Sequence, residues 1–278
     1  MNQSMITASA SMGQLQKKLD AISNNVANVN THSFKRRDVQ FSDLLFQQVN
    51  NQPVANQETG RNTANGLRIG SGAKVAQTNV RMEQGSIMHT DRPLDLAMME
   101  KSIFFEVLPT DDNNQRRFTR DGAFYLSENP NNLNELFLVT SEGEFVMSRE
   151  GEKIAIPTDY DTIKVSDNGV VDITLKNGNV VNVGELQMIH VTKPQLLESI
   201  GNNFFRFPNL DELGLQFADV LEQAPQNEGQ LIQGALEASN VDLSKELIEL
   251  MIAQRSYQFN TRSISIADQM MGLVNSVR

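Results

Sequence analysis

Residues 5–29 read MITASASMGQLQKKLDAISNNVANV, and their apolar side chains recur at alternating intervals of three and four residues. This is the spacing of the a and d positions of a coiled coil. The flanking positions carry small or amide side chains, such as Ser9, Ser11 and Gln16, in place of the Glu/Lys pairs of a two-stranded zipper. The stretch therefore predicts a helix whose apolar seam needs helical partners. The seam consists of Met5, Ala8, Met12, Leu15, Leu19, Ile22, Val26 and Val29.

Composition restricts the class of protein. The chain has 278 residues, no cysteine and a formal net charge of -10, so disulfide bonds and thiolate metal sites are excluded. Residues 1–50 carry five basic and three acidic side chains and residues 241–278 carry four of each, which places the acidic excess in the middle. Near-neutral ends favour self-packing, and an acidic middle argues against nucleic acid or an anionic membrane as a partner.

Neither membrane insertion nor a cleaved secretory signal is expected from the sequence. No apolar stretch approaches the ~20 residues that a membrane-spanning helix needs. The first four residues, MNQS, lack the basic start of a signal peptide, and the apolar residues that follow are periodic rather than continuous.

The end of the seam is rich in asparagine. Residues 23–31 read SNNVANVNT, and such side chains compete for backbone hydrogen bonds, so the helix should end near Asn30. Composition alone is equally compatible with a surface turn. The apolar seam runs through this segment, however, and this indicates that the amides of Asn24, Asn25 and Asn28 face other protein.

Followed by Phe34 and Lys35, this segment resembles the signature of the rod and hook proteins that form the axis of the bacterial flagellum. One position differs, because Ser33 stands where that family usually has glycine, so the turn cannot rely on a glycine-only backbone conformation. Phrases at residues 93–107, 118–124, 201–205 and 234–257 resemble the same family. The resemblance thus covers both ends and the middle of the chain.

The predicted fold class is α+β, with N- and C-terminal helices forming a discontinuous coiled-coil-type helical domain around a central, mainly antiparallel β-domain. The predicted β-domain has apolar residues at period two, with Asn-Gly and Asp-Gly turns between strand candidates such as Ile103–Leu108 and Val170–Leu175. Residues 39–49 instead have helical spacing. The predicted segments are 1–36 for the N-terminal helix, 37–76 for an extended connector, 77–207 for the β-domain, 208–234 for a return connector and 235–278 for the C-terminal helix.

The C-terminal helix has two apolar lines, each with a seven-residue repeat. At roughly 100° per residue the lines lie about 160° apart, so one partner helix cannot cover both. The alternatives are a monomeric helix pair packed on the β-domain, or packing on the chain's own N-terminal helix and on further copies. Apolar, near-neutral ends favour the second, with an N-terminal segment weakly ordered in the isolated subunit.

The predicted assembly interface joins residues of both ends. Its N-terminal members are Met5, Met12, Leu15, Leu19, Ile22, Asn24, Asn25, Val26, Asn28 and Val29. Its C-terminal members are Leu243, Leu250, Tyr257, Ile264 and Met271 on the first line, and Ile252, Phe259, Ile266 and Leu273 on the second.

The resemblance implies a structural subunit of the flagellar basal-body rod, nearest to the distal rod type, that self-assembles into a helical tube and transmits torque from motor to hook. It implies as partners copies of the same chain, adjacent rod and hook subunits and the flagellar type III export apparatus. It also implies a location in the flagellar basal body, outside the cytoplasmic membrane, reached without a cleaved signal. A hook or proximal rod subunit is the alternative within the family.

Other function classes find little support. His32, His89 and His190 stand in unrelated contexts, so no catalytic residue, cofactor site or metal site is predicted, and a wall-acting enzyme is disfavoured. Residues 66–72, GLRIGSG, lack the Gly-Lys-Ser/Thr ending of a phosphate loop. Arg120 and Asp121 are interpreted as a charged turn before a glycine. A surface-binding module built on the β-domain would not need two apolar terminal helices.

Overall fold

A computed structural model describes residues 2–43, 46–49, 67–70, 73–109, 116–130, 132–223 and 231–276. The chain divides into two compact units. The helical unit comprises residues 1–27, 37–79 and 242–278, and the β unit comprises residues 28–36 and 80–241. The α+β class is confirmed. Residues 28–36, predicted to extend the N-terminal helix segment, belong to the β unit instead.

Two long helices pack against each other in the helical unit, α1 (Asn2–Ala27) and α2 (Leu243–Ser276). The Lys18 ammonium lies 3.2 Å from the Glu249 carboxylate, and the Asn25 amide donates a 3.2 Å hydrogen bond to Glu246. From the first of these contacts to the second, the residue number rises in α1 and falls in α2, so the two helices run antiparallel.

The helix ends follow the chemistry of their residues. Asp242 caps α2, because its Oδ1 accepts hydrogen bonds from the backbone N–H groups of Ser244 and Lys245. These bonds to the charged form hold the pKa of Asp242 below its ordinary value, the bond from Lys245 contributing most. Helix α1 ends at Ala27, just before the predicted end near Asn30, so Asn28 and Val29 lie beyond it.

Four described strands belong to the helical unit. Strand β1 (Arg37–Asp43) pairs with β4 (Ala73–Val80), and β2 (Phe46–Val49) pairs antiparallel with β3 (Leu67–Gly70). The helix indicated by the apolar spacing of residues 39–49 is wrong, because the described residues of this run lie in β1 and β2. Strand pairing overrides the periodicity of so short an apolar run. Leu44 and Leu45 of that run, and residues 50–66 of the predicted extended connector 37–76, lie outside the described residues.

The β unit contains seventeen described strands, and every strand pairing for which a register is described in it is antiparallel. The predicted antiparallel β-domain is thereby confirmed. The strands are β5 (Ile87–His89), β6 (Leu96–Met98), β7 (Ile103–Leu108), β8 (Arg117–Thr119), β9 (Tyr125–Glu128), β10 (Glu135–Val139), β11 (Phe145–Val146), β12 (Ala155–Pro157), β13 (Tyr160–Val165), β14 (Val170–Leu175), β15 (Val180–Glu185), β16 (Met188–Val191), β17 (Glu198–Gly201), β18 (Phe204–Arg206), β19 (Leu221–Gln223), β20 (Leu231–Gln233) and β21 (Ala235–Glu237).

Ten of these strands form one sheet. Its order is β12-β10-β11-β7-β8-β18-β17, with β9 paired to β10, β16 to β7, and β19 to β16. A separate sheet has the order β13-β14-β15, and two short pairs, β6 with β20 and β5 with β21, join the C-terminal part of the unit to its beginning. Short 3₁₀ turns occur at Pro194–Leu196, Leu210–Leu213 and Phe217–Asp219.

Strand β7 is buried on both faces and divides the core in two. Its residues alternate, so that Ile103, Phe105 and Val107 enter the larger apolar cluster while Phe104 enters a second one with Phe118 and Phe205. The predicted bounds of Ile103–Leu108 and Val170–Leu175 are confirmed. Residues 235–237 form β21 rather than the start of the C-terminal helix, which begins only at Leu243.

Candidate functional site

The inner line of α2 faces α1. Glu246 and Ala253 are buried, and half-buried residues continue the same line at intervals of three and four. They include Leu250, Tyr257, Ile264 and Met271 of the predicted first line, together with Asn260 and Ala267. Leu243, predicted to belong to this line, is exposed.

The outer line of α2 is uncovered. Its four predicted members are exposed by 57% at Ile252, 65% at Phe259, 57% at Ile266 and 66% at Leu273. Ile248, Met251, Met270 and Val274 widen this exposed apolar face. Isolated apolar side chains on a surface need no explanation, but a continuous stripe along a helix is typical of an interaction surface.

The seam of α1 is only partly covered within the helical unit. Ile22 is buried, whereas Met5, Met12, Leu15, Leu19 and Val26 are half-buried. A second helix of the same chain therefore covers part of the seam and leaves the rest available.

Asn25 fastens the end of α1. Its amide donates to the Arg37 carbonyl and its Oδ1 accepts from the Arg37 N–H, both at 2.9 Å, while the same amide reaches the buried Glu246 carboxylate. A buried side-chain amide thus pairs with a backbone as another strand would. Asn25 is buried and Asn24 is exposed within the subunit, and the prediction that the asparagine amides face other protein stays a prediction for Asn24 and Asn28.

A buried ionic cluster lies in the β unit, where Glu237 meets two cations, and we call it the Glu237 cluster. Lys35 Nζ lies 2.6 Å from Glu237 Oε1, and Arg120 contacts Glu237 Oε2 through Nη2 at 2.9 Å and through Nε at 3.0 Å. All three side chains are at most 1% exposed. The Gly85 N–H donates to Glu237 Oε1 as well.

The cluster carries one positive charge more than its single carboxylate can neutralise. Burial, and next the neighbouring Arg120 charge, lower the pKa of Lys35 to about 8. Burial works against ionisation of Glu237 too, yet Arg120 and Lys35 together hold its pKa below the ordinary value. The carboxylate is therefore the group on which both buried cations depend.

Arg120 also fixes the loop before β7. Its Nη1 donates to the carbonyl oxygens of Glu100, Lys101 and Ile103 at 2.7–2.9 Å. Arg120 does lie just before Gly122, outside the strands, but it is buried, because a guanidinium with five donors can satisfy a buried loop and a carboxylate at once. Asp121 does lie in the turn, where its Oδ1 accepts the Ala123 N–H and burial raises its pKa.

Asn240 joins three segments of the chain. Its Oδ1 accepts the Arg36 N–H at 2.7 Å, and its Nδ2 donates to the carbonyls of Arg81 and Glu83, each at 2.9 Å. Arg81 in turn donates its N–H to the Arg36 carbonyl at 2.8 Å. We call this group of bonds the Asn240 bridge.

Ser33 takes a left-handed backbone conformation that favours glycine. Its φ is 56°, and the cost of this left-handed conformation is offset because its hydroxyl donates a 2.8 Å hydrogen bond to the Arg120 carbonyl and its N–H donates to the Glu237 carbonyl. The preceding His32 carbonyl accepts a bond from Asn203, itself at positive φ. The turn thus adopts positive φ without glycine.

These contacts bring together the separated phrases that carried the family resemblance. Lys35, Arg120 and Asn203 come from three different phrases and Glu237 and Asn240 from a fourth, and all of them contact residues 32–36 or one another. Sequence reasoning did not select Lys35, Glu237 or Asn240 as site residues. Lys35 stands in a basic run with Arg36 and Arg37, and Glu237 and Asn240 share their phrase with Ser239 and Asp242, so no local signal singles these three residues out.

The described residues contain no group of three or more His, Asp and Glu side chains arranged to hold a metal ion. The Nε2 atom of His190 lies 3.7 Å from the carboxylate of the exposed Glu100. The backbone carbonyl of His32 accepts the hydrogen bond from Asn203. Among the helices of the described chain, none has the length and apolar character that crossing a membrane requires.

Family models of flagellar rod and hook proteins match both ends and the middle of the chain. Residues 5–35 match the flagella basal body rod protein family, residues 100–173 the D1 domain of the flagellar hook protein FlgE/F/G family, and residues 232–277 the C-terminal region of the flagellar basal body rod FlgEFG proteins. A flagellar hook protein FlgE2 from Helicobacter pylori overlaps 64% of this chain and 47% of its own at 14% identity, but a TM-score of 0.21 supports no structural inference.

Full-length relatives carry the same family names. The flagellar hook-basal body complex protein FlhP of Bacillus subtilis is 40% identical over 280 residues, covering 100% of both chains. The flagellar basal-body rod protein FlgG of Borreliella burgdorferi is 31% identical over 100% of this chain and 99% of its own, and FlgG of Caulobacter vibrioides is 32% identical over 99% of each. The chain therefore belongs to the flagellar basal-body rod and hook protein family.

Proposed function

We propose that the chain is a structural subunit of the bacterial flagellar rod, of the distal rod type, that polymerises with copies of itself and with adjacent axial subunits. The observation that carries this proposal is similarity over the full chain to proteins named as rod and hook-basal body proteins. The exposed apolar line of α2 supports it, because a polymer would cover that line.

Assembly follows from the two lines of α2. The inner line packs on α1 of the same chain, and the outer line at Ile252, Phe259, Ile266 and Leu273 packs on helices of neighbouring copies in a coiled-coil-type arrangement. Small and polar residues on the flanks of α1 let neighbouring helices approach. A head-to-tail contact of this kind does not close on itself and so generates a helical tube. Torque then passes along the tube from motor to hook.

Location and export follow from the same proposal. The subunit lies in the flagellar basal body, outside the cytoplasmic membrane, and reaches it unfolded through the flagellar type III export apparatus without cleavage of a signal. A chain without disulfide bonds is suited to that route, because no covalent crosslink has to be broken first. A hook or proximal rod subunit is the alternative within the family, and no enzymatic role is proposed.

The outer line can be tested with a charge placed on it. Phe259→Asp places a carboxylate on the exposed stripe, and Gln258→Asp places the same charge on an exposed neighbour about 100° around the helix. We expect Phe259→Asp to prevent incorporation into hook-basal bodies and Gln258→Asp to leave it unchanged. Equal incorporation of both variants would contradict the proposed interface.

The rod role itself is tested by location. An epitope tag inserted in the exposed turn at Asn177 and Gly178 lies far in sequence from both helices, so it should not disturb assembly. We expect the tagged chain in purified hook-basal bodies, at the rod, and expect deletion of residues 1–30 to abolish rod assembly. Normal motility of that deletion strain would count against the role.

A further inference from the structure

The chain passes between the helical unit and the β unit four times, after Ala27, Arg36, Asn79 and Val241. Force that is carried along the chain from one unit to the other must enter the β unit through residues at these crossings. The bonds that hold these residues within the β unit therefore decide how much force the unit can take up through them.

Three of the four crossings are tied together by one side chain. Asn240, next to the last crossing, bonds the Arg36 N–H at the second crossing and the carbonyls of Arg81 and Glu83 at the third. Arg36 and Arg81 are also bonded directly through their backbones. A pull on any one segment is thus shared with the other two.

The Glu237 cluster anchors these same segments to the sheet. Lys35 precedes Arg36 and bonds both Glu237 and the Glu83 carbonyl, the latter at 2.9 Å. Arg120 then links Glu237 to the carbonyls before and within β7, the strand that is buried on both faces. The tied segments are therefore fastened to the most deeply buried part of the β unit.

We propose that the Asn240 bridge and the Glu237 cluster form a clasp that carries force, through which torque is passed along the chain between the helical unit and the β unit. This inference rests on the proposed rod function. Asn240 and Lys35 both bond Glu83, so separating the crossing segments breaks several bonds of the clasp. The bonds of Lys35 and Arg120 to Glu237 are buried from water, which makes them costly to open.

Asn240→Ala removes the Asn240 bridge and keeps the Glu237 cluster. Asn182→Ala is the matched control. Asn182 is an exposed asparagine of the same unit, and its side-chain amide bonds only Asp172 among the described contacts. Cells that carry each variant as their only copy are scored for the number of hook-basal bodies and for rotation of attached beads in media of rising viscosity. We expect Asn240→Ala cells to assemble normally and rotate at low load but to fail at high load, while Asn182→Ala cells match wild type.

The dependence on load distinguishes a clasp from a general structural contribution. A merely structural loss would lower rotation equally at every load, and rotation of Asn240→Ala cells indistinguishable from wild type at high load would overturn the inference outright. If the wild-type chain is absent from hook-basal bodies, the proposed function falls and the torque role falls with it. If the wild-type chain is present and the variant is load-independent, only the clasp falls.

Amide hydrogen exchange of the purified full-length chain tests the clasp without requiring assembly. It therefore also applies if the Asn240→Ala variant does not reach the rod. Loss of three hydrogen bonds should speed exchange of the Arg36 and Arg81 N–H groups about 100-fold. The Phe105 amide, within β7, should be unaffected. Unchanged exchange at Arg36 and Arg81 would overturn the clasp.

Discussion

The shared carboxylate of the Glu237 cluster leads to an asymmetric prediction about stability. Glu237→Gln removes the negative charge and leaves two cations, Lys35 and Arg120, buried side by side. Lys35→Met removes one of those cations and leaves a balanced Arg120–Glu237 pair. The two variants delete partners of the same ion pair, yet they should differ greatly in effect.

The magnitudes follow from burial. Leaving a buried charge without its partner costs about 3–5 kcal/mol, so Glu237→Gln should consume a large part of an unfolding free energy that is typically about 5–15 kcal/mol. Lys35 is charged at neutral pH although its pKa has fallen from 10.5 to about 8, so its buried charge already opposes folding. Lys35→Met relieves that cost while losing two hydrogen bonds, and we expect a net change within about 1 kcal/mol.

Tyrosine fluorescence offers a selective assay. The chain has no tryptophan and three tyrosines, of which Tyr257 lies in α2 and Tyr125 and Tyr160 lie in the β unit. In a Tyr257→Phe background, urea unfolding followed by tyrosine fluorescence therefore reports the β unit alone. Glu150→Gln, at an exposed site, is the matched control and should change the unfolding free energy by no more than about 0.5 kcal/mol. A Lys35→Met loss as large as that of Glu237→Gln would refute the reasoning.

Three further predictions concern other parts of the molecule. Because the unfolded chain binds the Lys35 proton up to pH 10.5 and the folded chain releases it near pH 8, the unfolding free energy should rise between these values by roughly 2–4 kcal/mol relative to Lys35→Met, as measured by urea titration at each pH. Gly122→Ala should lower the unfolding free energy of the β unit by about 3 kcal/mol or more, because the new Cβ would lie 1.7 Å from the Leu96 carbonyl oxygen. Gly143→Ala, in open space at φ 85°, should lower it by about 1 kcal/mol in the same urea assay. Amides of residues 5–27 in a dilute monomer should exchange far faster than those of β7, since the α1 seam is only partly covered; full protection of that segment would contradict its proposed dependence on assembly.

Periodicity and turn chemistry predicted much of the fold. The period-two pattern located β7 and β14 at their observed bounds, and the heptad seam located α1, because burial imposes these repeats directly on the sequence. The short run at 39–49 was misassigned, since a few apolar residues fit helix and strand alike. Residues 235–237 were assigned to the helix because a local pattern cannot report the pairing of β21 with β5, nearly the whole β unit away in sequence.

The ionic cluster was beyond sequence reasoning for a similar reason. Lys35, Arg120 and Glu237 are far apart in the chain, and nothing local distinguishes a buried charge from a solvated one. The charged turn predicted at Arg120 carried no sign that its guanidinium is buried. The family phrases contain Lys35, Arg120 and Glu237, but a single sequence does not say which of these groups meet.

Residues 28–36 behave within the β unit as a bound peptide would, with Ser33 and Lys35 inserted among groups from 83–85, 120 and 237–240. A fragment cut at the sequence-derived limits of 77 and 207 would lose both this peptide and Glu237, leaving the Arg120 guanidinium without a counter-ion. A fragment spanning 80–241 keeps the receptor half of the site intact. Adding a synthetic peptide of residues 28–36 to that fragment would convert an intramolecular fold into a measurable binding equilibrium, whose affinity reports each side chain of the cluster separately.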